Sequence, residues 1–462
     1  MSGESEPAPT VGHRLTGLTR RLPKPGPETT RILTRGFTSL LLKGGSGVIG
    51  FAIAVVLGRD LGPEGAGRYF LALGVVTVAG SLVRLGFDQA VTRHVAKFRE
   101  ESRFDEINRL YTQAMAWTLA AGIAVAVPLA AASSWIAAVV FRDAPFSGVF
   151  TPMVMAIPAV AVIWLHAHFF QGIDRVNWFH AFRGLSISMV FLALVGGVFL
   201  ADADAVSGNV DRYGWLYLTA GYLTAIAAHL QWRRAWTAFA WHFDRWQARG
   251  EWTGTLPSLW LMAGVIQINL WCPQILLGVF EESDEVGIFT AAYRVAGLGS
   301  IILFGINSVI FPRFAVLYAK NDTRGLQAVV RSSTFIMIAV ALPFFVFLTI
   351  FPRTILGMFG REFLAGALVL QIAAVGQMFN VASGSVGGLL NMSGNERGAL
   401  NGTLFGFVLT LALCLALIPP LGAVGAAVAS SISLSLTMVY LTASCQHRLG
   451  FSPFTLLFRR PV

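Results

Sequence analysis

Long apolar runs, each near 20 residues, follow one another along this sequence with only short polar stretches between them. A helix needs about 20 such residues to cross the ~30 Å of hydrocarbon in a bilayer, whereas strands of a membrane barrel would be shorter and alternating. The chain is 55% hydrophobic and only 13% charged, about half the charged share of a soluble protein. The sequence therefore predicts an all-α polytopic membrane protein.

Twelve runs are long enough to be membrane-spanning helices, and an even number puts both termini on one side. The predicted spans are 38–58, 67–88, 110–132, 148–170, 179–200, 214–231, 256–279, 287–311, 329–351, 364–389, 399–418 and 423–444. They divide the chain into five parts: a disordered cytoplasmic tail (1–35), an N-terminal six-helix bundle (36–231), a cytoplasmic interfacial linker (232–255), a C-terminal six-helix bundle (256–447) and a cytoplasmic tail (448–462).

Positive charge is distributed unevenly across the predicted spans. The side that holds both tails carries 24 Lys and Arg residues, and the opposite loops carry 6. Inner-membrane proteins keep Lys and Arg on the cytoplasmic side. We therefore expect a bacterial cytoplasmic (inner) membrane protein with both termini in the cytoplasm.

The linker at 232–255 is unusually rich in tryptophan. Its five tryptophans are Trp232, Trp236, Trp241, Trp246 and Trp252. Tryptophan favours the headgroup level of a bilayer, so we expect the linker to lie on the inner membrane surface. The alternative is a solvated connection between the two halves.

The segment 40–97 has a second copy 220 residues further along the chain. Four pairs share this offset: Gly58 and Gly278, Glu64 and Asp284, Gly67 and Gly287, and Arg93 and Arg313. The hydropathy of the two segments agrees as well. This pattern predicts an internal duplication, an arrangement that many transporters use around a midplane binding site.

Few ionisable residues lie inside the predicted spans, and such residues are functional candidates because burying charge in a membrane is costly. Arg294 lies about nine residues, or ~13 Å, beyond the outer loop residue Glu285, which predicts an anion-binding residue in a cavity or a structural ion pair. Lys43 lies ~9 Å inside the first span and either lines a cavity or snorkels to the interface. Arg84 and Asp88 form either an intrahelical salt bridge or a cavity-facing pair.

Uncharged polar residues add to the candidate binding set. Gln267 and Asn269 are predicted near mid-depth, where they either join helices by hydrogen bonds or line a path for sugars. Arg183, near the start of a span, is expected to be an interfacial anchor. The sequence contains neither a Walker-type phosphate loop nor a zinc-like His or Cys cluster. We predict no catalytic residue, metal ion or cofactor.

Two motifs carry a family resemblance. The hairpin Leu57-Gly-Arg-Asp-Leu-Gly-Pro-Glu-Gly-Ala-Gly67 and the stretch Leu417-Ile-Pro-Pro-Leu-Gly-Ala-Val-Gly-Ala-Ala-Val-Ala-Ser430 resemble the bacterial polysaccharide (O-antigen type) flippases. These belong to the multidrug, oligosaccharidyl-lipid and polysaccharide exporter superfamily, and the likeness covers roughly residues 36–447.

The resemblance implies a MATE-like fold of two six-helix bundles around a central cavity that opens alternately to each side. It implies transport of undecaprenyl-pyrophosphate-linked oligosaccharide from the inner to the outer leaflet, among membrane lipids and with a possible polysaccharide polymerase and assembly complex as partners. A pyrophosphate needs cations, and Arg294, Lys43 and Arg84 are the intramembrane cations considered for it.

Several alternatives remain open at this point. Lipid II flippases of the same superfamily usually have fourteen spans, two more than are predicted here. The multidrug exporters usually rely on buried carboxylates, but Asp88 is the only acid inside a predicted span. A membrane glycan polymerase or ligase would need a large outer loop, and the longest one here is 201–213. A non-transporting scaffold would tolerate loss of every intramembrane cation. The sequence therefore favours a transporter over an enzyme, with no nucleic-acid partner.

Overall fold

The computed structural model describes residues 27–201, 208–241 and 250–453, without the side chains of 27–40 and Ser308. These ranges contain helices and no strand. The main helices are α1 (Pro27–Leu82), α2 (Phe87–Glu100), α3 (Phe104–Ala131), α4 (Phe146–Met155), α5 (Ile157–Gly172), α6 (Ser186–Ala201), α7 (Val210–Ala235), α8 (Leu256–Phe280), α9 (Ser283–Gly297), α10 (Ser300–Ala319), α11 (Thr323–Ile350), α12 (Ala367–Ala382), α13 (Val386–Met392) and α14 (Glu396–Leu449). The all-α fold is confirmed.

The ends of the chain differ in part from the prediction. Helix α1 begins at Pro27, inside the segment 1–35 that was predicted to be a disordered tail. Residues 1–26 lie outside the described residues, as do 454–462 of the second predicted tail.

Two of the helices are too long to cross a membrane once. A continuous helix of 56 residues, the length of α1, would reach ~84 Å, far more than the ~30 Å hydrocarbon core. Each long helix breaks at a glycine with positive φ, at Gly62 (φ 65°) in α1 and at Gly422 (φ 55°) in α14. Pro63 follows the first break, where its missing N–H and fixed φ suit a helix start.

The two parts of α14 fold back on each other. Thr410 Oγ1 and Ser433 Oγ are 2.6 Å apart, although 23 residues separate them along the chain. The two parts pack closely because small residues lie at the contact between them. Gly402 packs against the Leu441 side chain, and Gly406 packs against the Thr437 side chain. Such small residues let membrane helices approach closely.

The number of membrane crossings is not fixed by helix length alone. Among the described residues, eight helices are long and apolar enough to span, or nine if the bent pair α4–α5 counts as one span. Dividing α1 and α14 at their glycines and adding α7 would give twelve, and that count stays a prediction.

The linker packs against the N-terminal half more closely than its sequence suggested. Trp232, Trp236 and Trp252 are buried at 0%, 8% and 1% exposure, and only Trp241 is exposed among the described linker tryptophans, because Trp246 lies outside them. Asn108 on α3 accepts a hydrogen bond from Trp236 Nε1 at 2.9 Å and donates one to the Ala238 carbonyl at 2.7 Å. Most of these rings therefore stabilise the attachment of the linker to the bundle.

An exposed ion-pair cluster also holds the linker. Glu251 accepts hydrogen bonds from Lys97 Nζ at 2.7 Å and from Arg103 at 3.0 Å, and these two cations lower its pKa. Because the folded pKa is depressed, the contact stabilises the docked linker above the unfolded pKa, ~4.3, and is lost as pH falls through the folded value.

We therefore expect a nitroxide at Gly254→Cys, where an added side chain meets nothing within 4 Å, to gain mobility between pH 5 and pH 3. Glu251→Gln should be mobile at both pH values, while Glu100→Gln, an exposed glutamate on α2, should behave like the parent. Electron paramagnetic resonance measures this, and a pH response retained by Glu251→Gln would contradict the assignment.

Candidate functional site

The two halves of the chain touch backbone to backbone beside the Gly62 break. We call this side outer, following the orientation that the charge bias predicts. A Cβ on Gly67 would overlap the Ser283 carbonyl oxygen and lie 2.9 Å from Gly287 N. A Cβ on Gly287 would overlap the Pro63 carbonyl oxygen and lie 3.1 Å from Gly67 N. Since Pro63 and Ser283 are also 220 residues apart, the contact is reciprocal between the two segments that the sequence predicts to be duplicated.

A polar network surrounds this glycine contact. Arg68 donates to both carboxylate oxygens of Asp143, at 2.7 and 2.9 Å, and Ser283 Oγ donates to Asp143 at 2.6 Å. Arg59 Nε donates to the Met358 carbonyl at 2.7 Å. Because Arg59, Arg68 and Asp143 belong to the first half and the other two residues to the second, these bonds join the halves on the outer side.

A cavity of about 290 Å³ lies between the halves, and we call it the central cavity. The first half contributes Lys43 and Ser46 from α1 and Gly184 from the turn before α6. The second half contributes Arg294 from α9 and Ser300 from α10. Two of the predicted site residues, Lys43 and Arg294, therefore line the same cavity although 251 positions separate them.

A larger cavity of about 530 Å³, the C-terminal cavity, lies within the second half between α8, α9, α12 and α14. It shares Arg294, Gly297 and Ser300 with the central cavity, so the two cavities meet at Arg294. Asn269 lines it, and its side-chain oxygen Oδ1 is buried without a hydrogen-bond partner among the described residues.

Arg294 is held by a ring instead of an acid. Its guanidinium carbon lies 4.3 Å from the ring centroid of Phe70, on the helix α1 of the other half. Stacking uses the face of the guanidinium and leaves the N–H donors at its edge available. Lys43 is arranged similarly, with Nζ 5.5 Å from the centroid of Phe304.

Arg183 is a third cation near the central cavity, next to the cavity residue Gly184. Its NH1 donates to His168 Nε2 at 2.8 Å, and its guanidinium carbon lies 5.2 Å from the ring centroid of Trp164. The positive charges of Lys43 and Arg183 repel each other. Within the described residues, none of Lys43, Arg183 and Arg294 has a carboxylate within 4 Å. Asp88 lies close enough to Arg183 to attract it, but Arg84 already pairs with that carboxylate. The excess of positive charge favours an anionic ligand.

Arg84 and Asp88 are paired with each other. Arg84 Nε donates to the two Asp88 oxygens at 2.7 and 2.9 Å, and its NH1 donates to the Gly80 carbonyl at 2.5 Å. The Arg84 side chain is 2% exposed and stacks at 4.5 Å on Trp164, the same ring that Arg183 approaches. Neither Arg84 nor Asp88 lines the central or the C-terminal cavity. Of the two sequence alternatives this geometry favours the salt bridge, but Arg84 lies in the turn between α1 and α2, so the bridge joins that turn to α2 and is not within one helix.

The remaining polar candidates divide between packing and cavity lining. Asn269 lines the C-terminal cavity, whereas Gln267, two residues earlier on α8, is not among its lining residues. Gln274 donates from Nε2 to the Phe70 carbonyl at 2.5 Å, which ties the two halves together beside Arg294.

Sequence reasoning missed two features of the site. Arg183 was expected to anchor at the membrane interface, but a π-helical turn over Ala181–Leu185 adds a residue to the helix there and places it beside His168. Such π turns occur often at functional sites. Hydroxyl residues on α14 also line the C-terminal cavity, and their helical spacing in the sequence was a signal that could have identified them: Thr403, Thr410, Ser430, Ser433 and Thr437.

Apolar helices, two contacting halves and a cation-lined cavity between them together define a polytopic membrane protein of the MATE-like transporter fold. An inward-facing multidrug resistance MATE family transporter matches with a TM-score of 0.73 at 13% identity, covering 91% of this chain and 98% of that one. The lipid II flippase MurJ, inward closed, matches with 0.71 at 12% identity, covering 90% and 87%. These likenesses show the fold.

The chain belongs to the polysaccharide biosynthesis protein family, whose model matches residues 33–317. The MatE model matches residues 271–416. The lipid III flippase of Escherichia coli is 22% identical over 412 residues, covering 88% of this chain and 95% of that protein. The probable low-salt glycan biosynthesis flippase Agl15 of Haloferax volcanii is 28% identical over 170 residues, which are 37% of this chain and 36% of that protein. These findings confirm the family predicted from the two motifs.

Proposed function

We propose that this protein is a flippase that moves undecaprenyl-pyrophosphate-linked oligosaccharide from the inner to the outer leaflet of the bacterial cytoplasmic membrane. Both termini would lie in the cytoplasm, as the bias of Lys and Arg indicates. The relatives named as lipid III flippase and glycan biosynthesis flippase support a lipid-linked glycan as the substrate class.

The observation that carries the proposal is the placement of Arg294 at the junction of two cavities, with free donors and no carboxylate within 4 Å among the described residues. A planar guanidinium binds phosphate oxygens in pairs, and each charge-assisted bond strengthens in a site that excludes water. Lys43 and Arg183 add positive charge at the central cavity.

The other residues have separate parts in this mechanism. Asn269 would face the sugars, whereas Gln267, predicted for the same purpose, lies two residues earlier on a different face of α8 and does not line the cavity. Arg84 and Asp88 would hold the Trp164 ring on which Arg183 rests. The polyprenyl chain would stay in lipid between helices, so the protein has to enclose only the polar end. The two six-helix bundles would separate on one side of the membrane while they close on the other. This movement would expose the central cavity to each leaflet in turn.

Reconstituted vesicles test the function directly. Purified protein should move a polyprenyl-pyrophosphate-linked oligosaccharide to the opposite leaflet, measured by its new accessibility to an enzyme or lectin outside. The same glycan linked to a phosphate-free lipid should move much more slowly, because the cations then have no anion to hold. Equal rates for both lipids, or elongation of the glycan by the purified protein, would overturn the proposal. Drug–cation exchange without lipid transport would favour the multidrug branch of the superfamily instead.

A further inference from the structure

The C-terminal cavity has a lining that its neighbour lacks. Besides Tyr293 and Ser300, its hydroxyl groups come from the two antiparallel parts of α14, at helical spacing on each: Thr403 and Thr410 on the first, and Ser430, Ser433 and Thr437 on the second. Helical spacing of three to four residues keeps such side chains on one face. The two faces meet where Thr410 Oγ1 lies 2.6 Å from Ser433 Oγ.

These hydroxyls present mainly acceptor oxygens to the cavity. Thr403, Ser430 and Thr437 donate to backbone carbonyls of their own helix, at 3.0, 2.7 and 2.7 Å. A hydroxyl has one donor and two acceptor sites, so each of these oxygens can still accept a hydrogen bond. Asn269 also lines the cavity, and its buried Oδ1 is a further acceptor without a hydrogen-bond partner among the described residues. The lining also includes the amides of Gln377 and Asn380 and the hydroxyl of Tyr293, which offer donors as well as acceptors. The cavity therefore suits a ligand whose groups both donate and accept hydrogen bonds.

The charges around the cavity restrict what that ligand is. Arg294 is the one charged residue among its lining residues, which include no carboxylate. A metal cation is disfavoured, because hard cations are held by carboxylates and the guanidinium would repel them. An uncharged group with many O–H donors fits the lining. The volume of about 530 Å³ lies in the range that encloses a drug-sized ligand, comparable to a short oligosaccharide.

We propose that the C-terminal cavity binds the innermost uncharged sugars of the transported lipid, while Arg294 at its entrance holds the phosphate to which they are attached. This inference rests on the proposed function and adds a glycan subsite within the second half of the chain, distinct from the cavity between the halves.

Two isosteric substitutions test the subsite. Thr403→Val with Thr437→Val removes two hydroxyls that bond only to their own helix, so the pairing within α14 is retained. The matched control is Thr77→Val with Thr219→Val, two threonines that also bond their own helix, at 2.6 and 2.9 Å, and line neither cavity. Binding to the full chain in nanodiscs is measured with polyprenyl pyrophosphate alone and with the same lipid carrying a neutral trisaccharide.

In the parent and the control, the trisaccharide should increase affinity. In the cavity double variant this gain should fall by about three- to tenfold for each hydroxyl removed, while binding of the sugar-free lipid stays within about twofold. An unchanged gain, or an equal loss in the control, would overturn the glycan subsite. If the parent bound neither lipid, the proposed function itself would fail, so the two outcomes are distinguishable.

Discussion

Replacing Arg294 with alanine is expected to lower the initial rate of lipid-linked glycan transport by about 10- to 100-fold, the effect of losing charge-assisted hydrogen bonds to a phosphate. Its guanidinium stacks on Phe70 and has no carboxylate within 4 Å among the described residues, so its removal leaves no acidic side chain uncompensated. The leaflet assay in vesicles measures the rate, with protein yield and thermal stability recorded in parallel.

Two further variants define the cause. Arg294→Lys keeps the charge but loses the planar pair of donors, so it should recover only part of the rate. Arg353→Ala makes the same change of charge at an exposed position and should transport like the parent. If Arg294→Ala transported as fast as the parent, its assignment as the phosphate ligand would be wrong.

Adding a methyl group at Gly67 is expected to open the outer side and abolish transport. The Cβ of Gly67→Ala would meet backbone atoms of Ser283 and Gly287, which cannot rotate away as a side chain would. Overpacking costs about 1–3 kcal/mol, enough to shift a two-state equilibrium by about 5- to 150-fold. The closed outer contact would then be disfavoured, and the central cavity would become accessible from outside.

A cysteine at Ser300, which lines both cavities, reports this change. In a background in which the three native cysteines, Cys272, Cys414 and Cys445, are replaced, a thiol reagent applied from outside should label Ser300→Cys faster when Gly67→Ala is present. Gly287→Ala should act alike, because the contact is reciprocal. Gly196→Ala, where nothing lies within 4 Å of the added Cβ, is the control. Labelling and transport equal to the parent would show that this contact does not close the outer side.

The class of fold was predictable because the bilayer sets the same conditions for every helix. It requires an apolar run of a certain length, and it favours Lys and Arg on one side. Counting residues along a helix predicted a depth for Arg294 and placed Lys43 nearer one end, and these depths stay predictions. That both would face one cavity did not follow, because helical periodicity alone does not tell a cavity-facing side from one packed against a neighbour.

The features that the sequence did not predict share one cause, which is that the environment of these residues depends on partners distant in sequence. Trp232 and Trp252 have the composition of an interfacial segment, yet they are buried against helices of the first half. Arg183 lies near a span end, and a single π turn brings it to His168. The helical spacing of the α14 hydroxyls was visible in the sequence, but only the folded hairpin shows that they line a cavity.

The junction of two cavities at Arg294 has a consequence for how a substrate is released. A phosphate and a sugar chain that are covalently joined bind the two cavities as linked sites, so each raises the effective concentration of the other. Each part can then bind weakly while the whole molecule is retained, and a free sugar or a free phosphate competes poorly. Once the phosphate or the sugar dissociates, the remaining interaction is too weak to hold the lipid for long. This property suits a carrier whose turnover depends on substrate release.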